Sequence, residues 1–407
     1  MEEFTLVKDL AVIMITAGAV TFVFRNLRLS PLFGYLVAGL LIGPYTFSNA
    51  PVANIEEVRL IADLGLILLL FGLGMEFSWA RIRQVGFTII LIAAAEITIM
   101  VYLGYWLGQL LGWETWDSIF LGGALGVTSS TIAFSFLKEL DRLDRLSSKL
   151  IIGISVAEDF VAIAIIAVLT GVARTGTASL DWGDAGFIFL KLVIFVAALV
   201  GFGTLIVPKM MQLVDRFHSK EAMVITCLGL CFGAALISRE IGISGVAGAF
   251  LMGSLLGHTD KWKEISETIS PIRYMFGALY FVAIGMLIDV SQPENYIIPT
   301  IAITLFFIAG KVMGNTLLSF LSGYQPKTAF EVGMGMPQMG EFSLAIAKVG
   351  KQYQVVEAPV YPAIAFSSAV TSLISPQLLR LSDPAASFIA GHTPGMLKGY
   401  VLRFSEW

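Results

Sequence analysis

Apolar stretches of about 20 residues, the length of a membrane-spanning helix, follow one another along the whole chain with only short polar runs between them. Thirteen such stretches can be marked, at 10–27, 31–47, 59–76, 86–111, 116–137, 149–172, 185–206, 222–238, 242–257, 270–290, 296–321, 328–348 and 358–381. They predict an all-α polytopic membrane protein of about thirteen transmembrane helices. Residues 1–385 form the transmembrane domain on this reading, and 386–407 a cytoplasmic tail or the start of a regulatory domain.

Two of these stretches are interrupted at mid-depth. In the fifth, Gly126 to Thr131 reads GVTSST, four hydroxyls and a glycine where the apolar run is otherwise continuous. In the twelfth, Gly333 to Phe342 reads GMGMPQMGEF, with three glycines and Pro337. Broken backbone is tolerated at that depth only where it lines an internal cavity, and its freed carbonyls and helix ends make ion sites. Hydroxyls alone also serve as packing glue between helices. The placement argues for more: the fifth stretch precedes one that carries acids, and the twelfth follows one that carries a lysine. Stretches 1–6 and 8–13 therefore read as two repeats, inverted in the membrane by the seventh stretch between them.

Charges inside the stretches are few, and each costs about 2.5–3.5 kcal/mol at the bilayer centre. They are Glu158 and Asp159 in the sixth stretch, Lys311 in the eleventh, Glu96 in the fourth and Glu341 in the twelfth. Neighbouring helical residues point about 100° apart, so Glu158 and Asp159 cannot face one partner squarely. Pairing Lys311 with one of them leaves the three at net −1, a charge that one proton or one monovalent cation would balance. If both compete for the same carboxylate, and the empty charged site cannot cross the membrane, coupled exchange follows. Glu96 reads either as a protonated carboxyl bonded to a neighbouring helix or as part of a secondary proton path. Glu341 follows Pro337 by four residues, at the start of a re-formed half-helix, where capping and gating are both open. Asp63 and Asp289 read as interfacial; His218, His258 and His392 read as solvated loop or tail residues, with pH sensing as the alternative.

Lysine and arginine set the expected orientation. Eighteen of the 26 fall on one face of the thirteen-helix topology and six on the other, which puts the N-terminus outside and the C-terminus in the cytoplasm. Hydrophobic residues are 57% of the chain and charged ones 14%, against about 25% charged in a soluble domain. The net charge of −4, with no basic face, implies no nucleic-acid partner. The start, MEEF, has no basic region or cleavage site and does not read as a signal peptide. Cys227 and Cys231 read as packing residues. No phosphate-binding Walker sequence, nucleophile elbow or His/Cys metal set is present, so neither an enzyme nor a cofactor is expected, and energy would come from an ion gradient.

Taken in order, FGYLVAGLLIGP (Phe33 to Pro44), DLGLILLLFGLGMEF (Asp63 to Phe77), GVTSST, AEDF, GISGVAGAFLMG (Gly242 to Gly253), LYFVAIGMLID (Leu279 to Asp289), Lys311 and QMGEFS (Gln338 to Ser343) resemble the cation:proton antiporter-2 family. That family includes the Kef-type potassium efflux systems and the NapA-type sodium/proton antiporters. The resemblance implies a homodimer in the membrane lipid, with a dimerisation domain and a six-helix core of inverted repeats whose two discontinuous helices cross. It implies elevator-like alternating access. It also implies that Asp159 binds the cation and the proton, that Glu158 partners Lys311, and that Thr128, Ser129 and Ser130 are unwound neighbours of the site. Gln338, Glu341 and Glu96 are then gating or structural residues. Kef-type members usually have Gln-Asp where this chain has Glu158-Asp159, whereas QMGEFS looks Kef-like. The expected activity is exchange of Na+ or K+ for protons in a prokaryotic plasma membrane, the second carboxylate leaning toward sodium. A Kef-like potassium efflux system, with a regulatory nucleotide-binding domain or subunit outside this chain, is the alternative; a channel or a sodium-coupled symporter is a further one.

Overall fold

The computed structural model of the protein describes residues 5–26, 31–46, 51–52, 54–76, 86–175, 190, 193–194, 197–199, 201–203, 205–216, 219–241, 244–259, 262–288, 294–357 and 359–392. Among them the helices are α1 Thr5–Asn26, α2 Pro31–Ile42, α3 Ile55–Glu76, α4 Phe87–Leu110, α5 Thr115–Leu125, α6 Ser130–Glu139, α7 Leu146–Thr175 and α8 Val207–Arg216. They continue as α9 Lys220–Glu240, α10 Gly245–Gly257, α11 Trp262–Met286, α12 Glu294–Leu321, α13 Pro326–Gly335, α14 Glu341–Gln352 and α15 Val360–His392. No strand occurs among the described residues. The all-α expectation holds.

Nine helical spans among the described residues are long and apolar enough to cross a membrane, counting Thr115–Glu139 as one. The expected thirteen are not all of that kind, for local reasons. The 31–47 and 242–257 stretches give the short helices α2, of 12 residues, and α10, of 13. The twelfth stretch is split, and half of the seventh lies outside the described residues, as do His218, Asp289 and 393–407. Helix ends also run past the apolar runs. Helix α11 starts at Trp262 and continues through Pro271, and α15 continues through Pro376 and Pro384 to His392. Asp63 lies in the third turn of α3, half-buried, and His258 caps α10.

The chain divides into two compact units that alternate along the sequence. One comprises Met1–Arg81 and Ile166–Pro293, the other Ile82–Ile165 and Glu294–Trp407. The first is built by close approach of glycine-bearing helices: a Cβ on Gly253 of α10 would collide with the Phe71 carbonyl of α3, and one on Gly39 of α2 with the Val282 carbonyl of α11. Its core includes Phe71, Met75, Met223, Cys227, Cys231 and Leu256; both cysteines are free and buried.

The second unit contains α4, α5, α6, the first two-thirds of α7, and α12 to α15. Gly104 and Gly122 let α4 and α5 touch backbone to backbone, since a Cβ on Gly104 would sit 2.8 Å from the Gly122 Cα. Phe136, Leu137, Leu150, Ile151, Ile154, Val332 and Met336 pack together and fix α6 and α13 against α7. At one end Asp383 accepts ion pairs from Arg142 at 3.0 Å, Lys327 at 3.0 Å and Arg145 at 3.3 Å, tying the α6–α7 turn and the start of α13 to α15. Every candidate site residue of the sequence analysis lies in this unit.

Candidate functional site

Both predicted interruptions are present. Residues 126–129 separate α5 from α6, and residues 336–340 separate α13 from α14. The two unwound segments meet: the Ser129 N–H donates to the Gln338 carbonyl at 2.9 Å. Glycine is required at 340 because a Cβ there would collide with the Ser129 side chain.

Breaking a helix in an apolar surround frees backbone groups that need partners. Hydroxyls supply most of them. Ser343 donates to the carbonyls of Ala124 (2.7 Å) and Val127 (3.3 Å) at the end of α5. On the other break, Ser368 donates to the Met339 carbonyl at 3.1 Å and Ser375 to the Pro337 carbonyl at 2.7 Å, while the Met339 N–H donates to Thr371 at 3.1 Å. These α15 residues were not among the sequence candidates. Ser368, Thr371 and Ser375 fall three and four residues apart on one helix face, but the backbone groups they serve lie 29 to 38 positions away in the sequence.

The crossing gathers helix ends of both signs, and the charged residues sort accordingly. At the start of α6, Ser129 caps the helix by accepting the Ile132 N–H at 3.3 Å, and its hydroxyl donates to Glu341 at 3.1 Å. Thr131 donates to the other Glu341 oxygen at 3.3 Å. Glu341 is itself in the first turn of α14, so one carboxylate serves two helix N-termini. Through these two hydroxyls Glu341 fastens the two broken helices together.

Glu158 and Asp159 diverge as the helical geometry requires. The Thr128 N–H donates to one Glu158 oxygen at 2.7 Å, and Lys311 lies 3.2 Å from the other. Asp159 turns to the adjacent side, where the Ser130 hydroxyl donates to its Oδ2 at 2.8 Å. Its Oδ1 is buried and has no hydrogen-bond partner among the described residues, and the same holds for Thr128 Oγ1 and both ends of the Gln338 amide. Asp159 is 6% exposed and Glu158 wholly buried.

Lys311 differs from the sequence expectation. Instead of pairing with a single carboxylate it lies between two, 2.9 Å from Glu96 and 3.2 Å from Glu158, and also donates to the Gly126 carbonyl at 3.1 Å. The Phe307 ring, one turn earlier on α12, has its centroid 5.7 Å from Nζ. Glu96, Glu158 and Lys311 are all 0% exposed. A buried charge cluster of this kind is sustained only when its charges are closely paired; here Lys311 pairs with both acids, although Glu96 Oε1 makes an ion-pair contact without an aligned hydrogen bond. Glu96 therefore belongs to the centre; its place one helix away from both broken helices gave no local clue in the sequence. Chemically, the centre offers a lysine already engaged, one carboxylate bonded to that lysine, and one carboxylate with a buried open oxygen beside unwound backbone.

The family described as "Sodium/hydrogen exchanger, transmembrane" matches residues 11–380. YbaL of Escherichia coli (strain K12) is 30% identical over 373 residues, covering 88% of this chain and 65% of YbaL. The chain thus spans a little under two-thirds of that relative's length. A protein named Na(+)/H(+)-K(+) antiporter GerN, of Bacillus cereus, is 27% identical over 93% of this chain and 96% of its own. The solved structure of the sodium proton antiporter MjNhaP1 from Methanocaldococcus jannaschii shares the fold, with a TM-score of 0.69 at 18% identity over 96% of this chain and 98% of that one. These relatives agree with the resemblance drawn from the sequence motifs. Together with the apolar spans they make the chain an integral membrane protein. By its match over nearly its whole length, the chain belongs to the transmembrane sodium/hydrogen exchanger family.

Proposed function

We propose that the protein exchanges a monovalent cation, Na+ or K+, for protons across the membrane, and that Asp159 carries both in alternation. One observation supports this most: among the acids of the centre, Asp159 combines burial, a single hydroxyl donor and an open oxygen, whereas both Glu158 oxygens are occupied. A carboxylate in that position needs a positive partner, and a proton or a cation meets the need equally. With either bound, the site is neutral and can cross; empty, it is charged and cannot. Thr128 and Ser130 stand at the unwound turn that would complete the cation's oxygen ligands. The names of relatives such as GerN, and K(+) efflux antiporter 5 of Arabidopsis thaliana, favour both ions as candidates.

In this reading the second unit moves as the ion-carrying core of a homodimer embedded in lipid, in an elevator-like cycle. The inverted halves, and a regulatory nucleotide-binding part beyond this chain, belong to the same proposal. The lysine and arginine distribution supports an N-terminus outside and a C-terminus in the cytoplasm, and a prokaryotic plasma membrane belongs to the same proposal. Reconstitution into liposomes with an imposed proton gradient tests the exchange directly. Internal pH is expected to change on adding Na+ or K+, with Li+ as a third probe. Cation flux that ignores the proton gradient would favour a channel and sink the proposal.

A further inference from the structure

Lysine has three N–H donors, and in Lys311 each has a destination: Glu96, Glu158 and the Gly126 carbonyl. Glu96 approaches with both oxygens, Oε1 at 2.9 Å and Oε2 at 3.0 Å, closer than the 3.2 Å of Glu158. Nothing of the ammonium is left for Asp159, which takes the Ser130 hydroxyl instead. Yet Asp159 directly follows Glu158 on α7, and lysine is a point charge on a flexible four-carbon stem that turns readily to the nearest uncompensated acid. An ammonium that reached Asp159 would neutralise the carboxylate on which exchange depends.

We infer that Glu96 is a positioning residue that holds the Lys311 ammonium away from Asp159 and so keeps that carboxylate open to the transported cation. Glu96 comes from α4, which contributes to neither broken helix nor the acid pair. It is 0% exposed and packs beside Gly314 of α12, where even an added Cβ would lie at an ordinary 3.9 Å from Glu96 Cγ. The charged groups facing Glu96 are Lys311 from α12 and Glu158 from α7; α5 offers the Gly126 carbonyl. Glu158 cannot do the holding alone, because its Oε2 is committed to the Thr128 N–H and only Oε1 reaches the lysine.

The inference rests on Asp159 being the exchange site, so the test separates the two. Saturable binding of Na+ and of K+ to the purified full chain is measured by calorimetry, and initial exchange rates are measured in liposomes. Binding in the wild type that is lost in Asp159→Asn upholds the exchange site. Glu96→Ala is then expected to raise the half-saturating cation concentration about tenfold, with the maximal rate changed far less, the size of a typical coupling between contacting groups. Glu96→Gln, which keeps an acceptor for one N–H, should recover part of the loss and serves if the alanine variant does not fold. In a Lys311→Gln background, where no ammonium competes, the Glu96 substitutions should leave cation affinity unmoved. Unchanged affinity in both Glu96 variants overturns the inference, and so does an equal loss with and without Lys311.

Discussion

Asp159→Asn is expected to reduce cation-dependent proton movement to the protein-free background while leaving the protein folded. Asparagine keeps the shape and an oxygen that can accept the Ser130 hydroxyl, which lies 2.8 Å from Asp159 Oδ2. It has neither a charge to hold Na+ or K+ nor a proton to give in exchange. Glu158 cannot take over, since the Thr128 N–H and Lys311 already occupy its two oxygens. Melting temperature in detergent and internal pH in liposomes measure the two halves of this prediction. Substantial exchange by the Asn variant would move the site elsewhere.

Lys311→Gln has the second large expected effect, and here the consequence is first one of stability. Removing the cation that lies within hydrogen-bonding distance of both Glu96 and Glu158 leaves two wholly buried carboxyls to share one neutral partner. Breaking a buried ion pair from one side costs on the order of 3–5 kcal/mol. Because Glu96 and Glu158 contact the same ammonium, the costs are not additive. The double variant Glu96→Gln, Lys311→Gln should therefore recover much of the loss, as expected for groups in one network. Thermal unfolding of the single and double variants measures the coupling. In exchange assays, Lys311→Gln should alter the pH profile more than it removes cation binding, since Asp159 and Ser130 are untouched.

How much of this was legible beforehand depends on the range of the interaction. Hydropathy located the long spans, because one apolar run of sufficient length makes one helix whatever surrounds it. The two breaks were legible in GVTSST and GMGMPQMGEF, because glycine, proline and clustered hydroxyls act on the backbone locally. Divergence of Glu158 and Asp159 followed from helical geometry alone. What stayed hidden was set by register between distant segments. Glu96 and Lys311 are 215 positions apart, and AAAEITIM contains no partner for the acid. The α15 hydroxyls that satisfy the second break likewise act across 29 to 38 positions. Glu341 offered capping or gating from its position after Pro337; its hold on Ser129 and Thr131 of the other broken helix appears only when the segments cross. Helix ends were misread where polar residues continue a helix, as in KEISETISP before Tyr274, which α11 carries through Pro271.

The most direct test of the central claim is to count protons released when the cation binds. Purified protein in weakly buffered detergent is titrated with NaCl or KCl, with choline chloride as the control, and the pH change is converted to protons per bound ion. If Asp159 binds cation and proton in alternation, binding should release about one proton per cation at a pH where the site is protonated, and a higher pH should tighten cation binding reciprocally. Asp159→Asn should release none. Cation binding that releases no proton at any pH would contradict the account.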